Sequence, residues 1–180
     1  DDNYNGTTSF TYLVTDGELT SSSSTVTITV NAVNDSPVLS NILNQSIDED
    51  TSLVLTLSAD DVDGDALTYS ASVDGNADVS VVDNQLTITP DGDYNGSITV
   101  DISVSDGQYI DTDSFVLTVT PVNDAPVLSD IQDQSIDEDT SLVLTLSADD
   151  VDGDALTYSA SVDGNADVSV VDNQLTITPD

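Results

Sequence analysis

The feature that most constrains this chain is an internal repeat. Residues 45–91 and 134–180 have the same sequence at every position, and the second segment begins 89 positions after the first. A weaker copy keeps this phase, because Asn34-Asp35 is followed by Asn123-Asp124 at the same interval. A period of this length exceeds the unit of a solenoid and suits one small globular domain with its own core.

The phase of the repeat predicts three parts. Residues 1–33 are the C-terminal part of one repeat, residues 34–122 are a complete repeat, and residues 123–180 are the N-terminal part of the next. Both ends of the chain fall inside a repeat, so we expect it to be an excerpt of a longer protein. We expect successive repeats to form an extended rod.

Within the complete repeat, apolar and polar residues alternate at the two-residue period of β-strands. The alternation is clearest over residues 98–104 and weakest over residues 79–82, and the segment from Pro37 to Ile47 is typical of an irregular edge strand. Turns rich in Asp and Gly separate about seven strands, which we name A to G. This pattern predicts an all-β fold, a Greek-key β-sandwich of immunoglobulin type.

Tyrosines mark two positions of this predicted sandwich. Tyr94 precedes strand F, where a tyrosine corner would bind its hydroxyl to upstream backbone. Tyr69 and Tyr158 fall on strand C and are predicted to lie in the core.

The charge of the chain is entirely negative. It contains 35 acidic residues and no Lys, Arg or His, which gives a formal net charge of −35. Without a cationic side chain, every carboxylate must be solvated, hydrogen-bonded or bound to a metal. No side chain could neutralise phosphates, which excludes nucleic acid as a partner. The sequence also contains no apolar run of about 18 residues, so it predicts no segment that would insert into a membrane. The absence of Cys fits a cytosolic protein as well as a secreted one that uses metal in place of disulfides.

The topology of such a sandwich sorts the acidic loops between two poles. The B–C, D–E and F–G loops share the upstream pole with the preceding linker, and the A–B, C–D and E–F loops share the downstream pole with the next linker. Acidic loops therefore converge at each junction of repeats. At the first junction the candidate ligands are Asp1, Asp2, Asn34, Asp35, Asp60, Asp61, Asp63 and Asp65. At the second they are Asp48, Glu49, Asp50, Asp91, Asp93, Asn123, Asp124, Asp149, Asp150, Asp152 and Asp154.

So many carboxylates would repel one another unless a cation joins them. A hard cation with 6–8 oxygen ligands suits flexible acidic loops, which predicts Ca²⁺ rather than Mg²⁺. Without His and Cys, zinc is disfavoured. The alternative is a solvated acidic surface that keeps the protein soluble, and we expect Asp101 and Asp111 to be solvated in either case.

Several motifs, taken in order, resemble one family. They are Asn-Asp-Ala-Pro-Val at 123–127, Asp-Glu-Asp-Thr at 48–51, Asp-Val-Asp-Gly-Asp-Ala-Leu-Thr at 61–68, Thr-Pro-Asp at 89–91, Tyr-Asn-Gly at 94–96 and Ser-Asp-Gly at 105–107. The chain resembles the bacterial cadherin-like tandem repeats of giant secreted adhesins of RTX type.

The resemblance implies calcium between successive domains. Carried over from true cadherins, the ligands would be Glu49, Asp91 or Asp93, the linker Asn123-Asp124, and Asp150 with Asp152. The chain departs from the family at Pro121 and Ala32, where an acid is expected before the linker. That departure implies fewer ions at each junction.

We expect a calcium-stabilised spacer of a long adhesin, surface fibre or biofilm protein, located outside the cell. The alternative is a carbohydrate- or protein-binding module, for which Tyr109 in the F–G loop is the exposed aromatic candidate. An enzyme is not expected, because the usual nucleophile–base pairs need side chains that this chain lacks.

The two ends of the chain are complementary. Asp1, Asp91 and Asp180 occupy the same position in the E–F loop, so the N-terminal part supplies strands F and G alone and the C-terminal part supplies A to E. The partners are therefore neighbouring repeats, joined either covalently in a longer rod or by strand complementation between chains.

Overall fold

The computed structural model describes residues 3–180, so the candidate ligands Asp1 and Asp2 lie outside the described residues. All regular elements in this part are β-strands, which confirms the all-β prediction, and none of its residues forms a helix that could cross a bilayer. The strands are β1 (Gly6–Tyr12), β2 (Ser24–Val30), β3 (Val38–Leu39), β4 (Gln45–Asp48), β5 (Leu53–Thr56), β6 (Ala59–Asp60), β7 (Thr68–Val73), β8 (Ala77–Val82), β9 (Gln85–Pro90), β10 (Gly96–Ser105), β11 (Ile110–Thr120), β12 (Val127–Leu128), β13 (Leu142–Thr145), β14 (Ala148–Asp149), β15 (Ala166–Val171) and β16 (Gln174–Pro179).

The chain divides into two compact units. The first ends at Thr120 and the second is Pro121–Asp180. The first unit contains the N-terminal hairpin, β1–β2, and the complete repeat as far as Thr120. The predicted division into three parts at residues 33 and 122 rests on the phase of the repeat alone.

The complete repeat is a two-sheet sandwich. One sheet has the order β4-β11-β10-β7 and the other the order β5-β9-β8. All neighbours are antiparallel except β4, which runs parallel to β11. The weakly patterned segment over 79–82 is part of a regular strand, β8, because it pairs with β9 through a two-residue turn at Asp83-Asn84.

The core of the repeat lies between these sheets. Alternate residues of β10 and β11 are fully buried and pack against Leu86 and Ile88 of β9 and Leu57. Tyr69 is half-buried against this core, as predicted. Burial of alternate residues is what the two-residue period requires of strands that have one face on a core.

Strand A is divided into two parts, and the first belongs to a separate sheet of two strands. Its first part, β3, pairs with β6, and its second part, β4, pairs with β11. Acidic side chains of β11 hold the segment between them: Asp111 Oδ2 accepts the Leu39 N–H at 2.8 Å and Asp113 Oδ2 accepts the Ile42 N–H at 3.0 Å. The expectation that Asp111 is solvated is therefore wrong, because an irregular edge strand has N–H groups that no ladder satisfies.

A tyrosine turn precedes strand F in both copies. The Tyr94 hydroxyl donates to the carbonyl oxygen of Ser97 at 3.1 Å, and Tyr4 makes the same bond to Thr7 at 2.8 Å. The hydroxyl therefore binds downstream backbone, and the predicted upstream bond of a tyrosine corner is wrong. Gly96, with φ of 147°, lets the backbone pass beneath the Tyr94 ring.

The second unit forms only part of the sandwich. β13, β16 and β15 pair as β5, β9 and β8 do, in the same register. Residues 134–137 and 157–162 form no strand, although the identical residues in the first unit are β4 and β7. The reason is that β4 and β7 pair with β11 and β10, which have no counterpart within residues 121–180.

Candidate calcium-binding loops

The upstream pole of the complete repeat gathers the linker and two loops. The Asp35 N–H donates to Asp63 Oδ2 of the B–C loop at 2.7 Å, and Asn34 Nδ2 donates to Asp106 Oδ2 of the F–G loop at 2.7 Å. The D–E loop lies on the same side, since the Leu57 N–H donates to the Asn84 carbonyl at 2.8 Å. The loops are therefore sorted as the topology requires.

Asp61 organises the B–C loop. Its Oδ1 accepts the backbone N–H groups of Asp63, Gly64 and Asp65 at 3.0, 2.9 and 3.2 Å. Its Oδ2 is buried and has no hydrogen-bond partner. A buried carboxylate oxygen without a donor is costly unless a cation or water satisfies it.

Asp106 is a residue of this pole that the sequence analysis did not single out. Its carboxylate accepts the N–H groups of Gln108 and Tyr109 at 2.6 Å, in addition to the Asn34 amide. The Tyr109 N–H, with the Asn34 amide, lowers the pKa of Asp106 below its ordinary value of 3.8. The Ser-Asp-Gly motif at 105–107 was the available signal, because an Asp before Gly commonly receives turn amides.

A cleft of about 300 Å³ adjoins this pole within the first unit. Asn3, Tyr4 and Asn5 line it together with Asp35 and Asp63. These residues combine the end of the preceding E–F loop, the linker and the next B–C loop, the three segments predicted to meet at the first junction. The exposed carboxylate of Asp35 and the carboxylate of Asp63 both reach this cleft.

The downstream pole gathers the A–B and E–F loops. The Asp93 N–H donates to Asp50 Oδ1 at 3.2 Å, and carboxylate oxygens of the two residues lie within 4.8 Å of each other. Asp48 Oδ1 accepts the Thr120 hydroxyl at 2.7 Å, at the end of β11. Glu49 is only 4% exposed, whereas its counterpart Glu138 is exposed.

Backbone geometry explains part of the acidic content of these loops. All the non-glycine residues described with positive φ are Asp or Asn, including Asp50 at 59° and Asp93 at 57°. Asp and Asn tolerate this conformation better than other side chains. The turn conformation therefore accounts for some of the Asp residues in these loops, whether or not they also bind a cation.

The second unit repeats the upstream geometry. The Asp124 N–H donates to Asp152 Oδ2 at 2.7 Å, and the Asp154 N–H donates to Asp150 Oδ1 at 2.9 Å. Asn123 Nδ2 donates to the Asp124 carbonyl at 2.9 Å, as Asn34 Nδ2 does to that of Asp35 at 3.0 Å. The linker and B–C loop thus adopt one arrangement twice.

Other candidate ligands take backbone roles or face solvent. Asp60 and Asp149 are exposed residues of β6 and β14, and the Asp91 N–H donates to the Asn76 carbonyl at 2.9 Å. Within either unit, no three acidic side chains of residues 3–180 lie within 4.8 Å of one another. A cation there would have to draw neighbouring carboxylates inward.

The residues present nevertheless fit a calcium ion. The upstream pole offers the unsatisfied Asp61 Oδ2 and, lining the adjoining cleft, the carboxylates of Asp35 and Asp63 and the Asn3 amide oxygen. All are oxygen donors of the kind that Ca²⁺ prefers. The protein supplies no cationic side chain that could compensate them.

Comparison with family models divides the chain in two. Residues 33–120 match the cadherin-like domain and residues 123–180 match the bacterial Ig domain. Because residues 45–91 and 134–180 are identical, both descriptions apply to the same repeated sequence.

The chain is also similar to parts of larger proteins. Over 112 residues it is 33% identical to Chitinase A of Pseudoalteromonas piscicida, a match that covers 58% of the chain and 13% of the chitinase. An endo-fucoidan hydrolase of glycoside hydrolase family 107 is similar with a TM-score of 0.41 and 20% identity, over 98% of this chain and 30% of the hydrolase. The chain thus spans less than a third of these relatives.

The fold is that of protocadherin ectodomains. The crystal structure of mouse protocadherin-24 EC1-3 superimposes with a TM-score of 0.55 and 19% identity, covering 99% of this chain and 68% of that one. This likeness concerns the fold alone. Residues 33–120 and 123–180 are thus similar to a cadherin-like domain and a bacterial Ig domain, two kinds of domain that are typical of extracellular adhesion or surface proteins and are generally not catalytic.

Proposed function

We propose that this chain is a calcium-stabilised structural segment of a long extracellular adhesin or surface fibre, in which each repeat acts as a spacer. The observation that carries the proposal is Asp61. One of its carboxylate oxygens is saturated by three backbone N–H groups, and the other is buried without a partner in a protein that has no cationic side chain.

The position of this carboxylate supports a role at the start of each repeat. The same loop holds the linker through the bond between the Asp35 N–H and Asp63. A calcium ion on Asp61 and its neighbours would join linker and loop, so that binding would restrict the linker. The repeated sequence favours the spacer role, because duplication of a domain changes length rather than chemistry.

Thermal unfolding tests the proposal. We expect millimolar Ca²⁺ to raise the melting temperature relative to excess chelator, with a Kd on the order of 10⁻⁴–10⁻³ M, as in extracellular modules. Mg²⁺ should have a smaller effect because it demands rigid octahedral geometry. An unchanged melting temperature between Ca²⁺ and chelator would contradict the proposal.

Variants of the loop aspartate assign the effect. Asp61→Asn keeps the size and the acceptor oxygen for the backbone but removes the charge, so it should weaken calcium binding in calorimetry. Adding Asp150→Asn, its counterpart in the second unit, should remove most of the remaining response. Asp101→Asn, an exposed change on β10, is the matched control and should bind as the wild type does.

A carbohydrate-binding accessory module is the second candidate, favoured by the similarity to Chitinase A. Tyr109 is exposed in the F–G loop and could stack on a sugar ring. Sedimentation with insoluble chitin tests this candidate. If the chain sediments with chitin and Tyr109→Ala abolishes this binding, the result favours the carbohydrate-binding module. If the wild-type chain does not sediment with chitin, the result favours the spacer.

A further inference from the structure

We infer that the complete repeat bears mechanical tension through one lateral contact, which we call the A–G seam. The seam joins residues 34–48, which contain β3 and β4, to residues 106–120, which contain the F–G turn and strand G, β11. The inference rests on the spacer role proposed above, because a spacer in an adhesin or fibre is pulled from both ends. It does not rest on calcium.

The partners in the A–G seam are separated by a nearly constant interval in the sequence. Ile42 is bonded to the residue 71 positions later. The residues that share a hydrogen bond with the residue 72 positions later are Asn34, Leu39, Asn44 and Asp48. A constant interval means that the two segments run side by side in the same direction. The seam therefore follows strand A from the linker to the A–B turn.

Side chains bridge the upstream part of the seam, where the two backbones form no ladder. The carboxylates of Asp111 and Asp113 accept N–H groups of strand A, as described above. In the opposite sense, the Val116 N–H of strand G donates to Asn44 Oδ1 at 2.9 Å. Polar side chains of both segments thus replace the missing ladder, and strand A is attached along this stretch as well.

A parallel ladder forms the downstream part of the seam. β4 and β11 pair from Gln45 with Leu117 to Asp48 with Thr120. Beyond the ladder, the Glu49 N–H donates to the Thr120 carbonyl at 2.9 Å, and the Thr120 hydroxyl donates to Asp48 Oδ1 at 2.7 Å. The seam therefore extends to the last residue of β11.

The ends of the seam lie where tension enters and leaves the repeat. The chain enters strand A at the upstream pole, beside Asn34, and leaves β11 after Thr120 at the downstream pole. Tension therefore pulls strand A upstream and β11 downstream. Because the hydrogen bonds of a parallel pair are evenly spaced along it, this direction loads them together in shear. Pulling both strands at one common end would instead open the bonds one after another.

Strand A has a second attachment, which is shorter. β3 pairs with β6 through two residue pairs, and the Ser40 N–H donates to the Ser58 carbonyl at 2.9 Å. The β4–β11 ladder has four residue pairs, in addition to the side-chain bonds upstream of it. The seam is the longer of these contacts, so we expect it to set the force at which the repeat unfolds.

Single-molecule pulling of the 180-residue chain along two directions tests the inference. The chain contains no Cys, so a pair of introduced cysteines fixes where the handles attach. Ser36→Cys with Val122→Cys pulls the seam from opposite ends, whereas Thr51→Cys with Val122→Cys pulls it from the downstream end alone; all three positions are exposed. In millimolar Ca²⁺ we expect a several-fold higher unfolding force for the first pair. Equal forces, or a higher force for the second pair, overturn the inference.

Variants then separate mechanical resistance from overall stability. With the first pair of handles, the double change Asp111→Ala and Asp113→Ala should lower the unfolding force, because it removes bonds of the seam. Asn84→Ala is the control, since it removes the bond from Asn84 Nδ2 to the Leu57 carbonyl at 3.0 Å, outside the seam. Both changes should lower stability in urea, but the control should keep the wild-type force. If the control lowers the force as much as the seam variant does, the force follows overall stability and the inference is wrong.

Repeating both directions of pulling in excess chelator separates the inference from the calcium proposal. The parallel ladder and the side-chain bonds need no ion, so the difference between the two directions should persist without Ca²⁺. A difference that appears only with Ca²⁺ assigns the resistance to the ion and overturns the seam as the load-bearing contact. A difference that persists while Ca²⁺ leaves the melting temperature unchanged supports the seam and contradicts the calcium proposal alone.

Discussion

At the scale of single residues, backbone geometry and hydrogen bonding select the residue types of the loops. Asp50 and Asp93 adopt positive φ, and Asp61 receives three backbone N–H groups. These carboxylates therefore have structural roles before any ion binds. The acidic loops at the poles were predicted from the connectivity of the sandwich, but which oxygen remains without a donor depends on the loop conformation.

Gly96 offers a test at this scale. A Cβ at this position would lie 2.7 Å from the Tyr94 hydroxyl, and φ is 147°. Gly96→Ala should therefore lower the free energy of unfolding by about 1–3 kcal/mol, the usual cost of backbone strain. Gly92→Ala is the control, because nothing lies within 4 Å of a Cβ there. Equal stabilities of the two variants in urea would contradict this account of the tyrosine turn.

At the scale of elements, strand A shows how an irregular edge is attached. Its first part, β3, pairs with β6 and its second part, β4, pairs with β11, and carboxylates of β11 accept the N–H groups of Leu39 and Ile42. The sequence indicated an irregular strand from Pro37 to Ile47, but not the residues that hold it. Contacts between residues so far apart in sequence do not affect the alternation of apolar and polar residues within one strand, so that pattern cannot predict them.

Asp111→Ala tests this attachment. The change removes the acceptor of the Leu39 N–H in a half-buried position, which should destabilise the fold by about 1–3 kcal/mol. Asp101→Ala removes the same charge from the exposed face of β10 and should alter stability by less than about 0.5 kcal/mol. Chemical denaturation of both variants measures the difference, and a similar loss in both would show that Asp111 is solvated after all.

At the scale of the whole molecule, one sequence adopts two structures. Thr68–Val73 forms β7 beside β10, whereas the identical residues 157–162 form no strand. The B, E and D strands form in both copies because all their partners lie within the repeated segment. Strand C and the second part of strand A need the F–G hairpin.

Amide hydrogen exchange of the 180-residue chain should reveal this difference. The amides of Thr68–Val73 should exchange only through global unfolding, whereas those of 157–162 should exchange with little protection. Assigned NMR spectra distinguish the two copies. Equal protection of both segments in a monomer would contradict the dependence of strand C on strand F.

The sequence by itself determined the repeat, the all-β sandwich and the sorting of acidic loops between two poles. These follow from period, alternation and chain connectivity, which are local or topological properties. Only the tertiary structure decided that Asp111 anchors strand A, that Asp106 holds the linker amide and that Tyr94 binds downstream backbone. It also decided which of two identical segments becomes a strand, because a β-strand exists only where another strand satisfies its N–H and C=O groups.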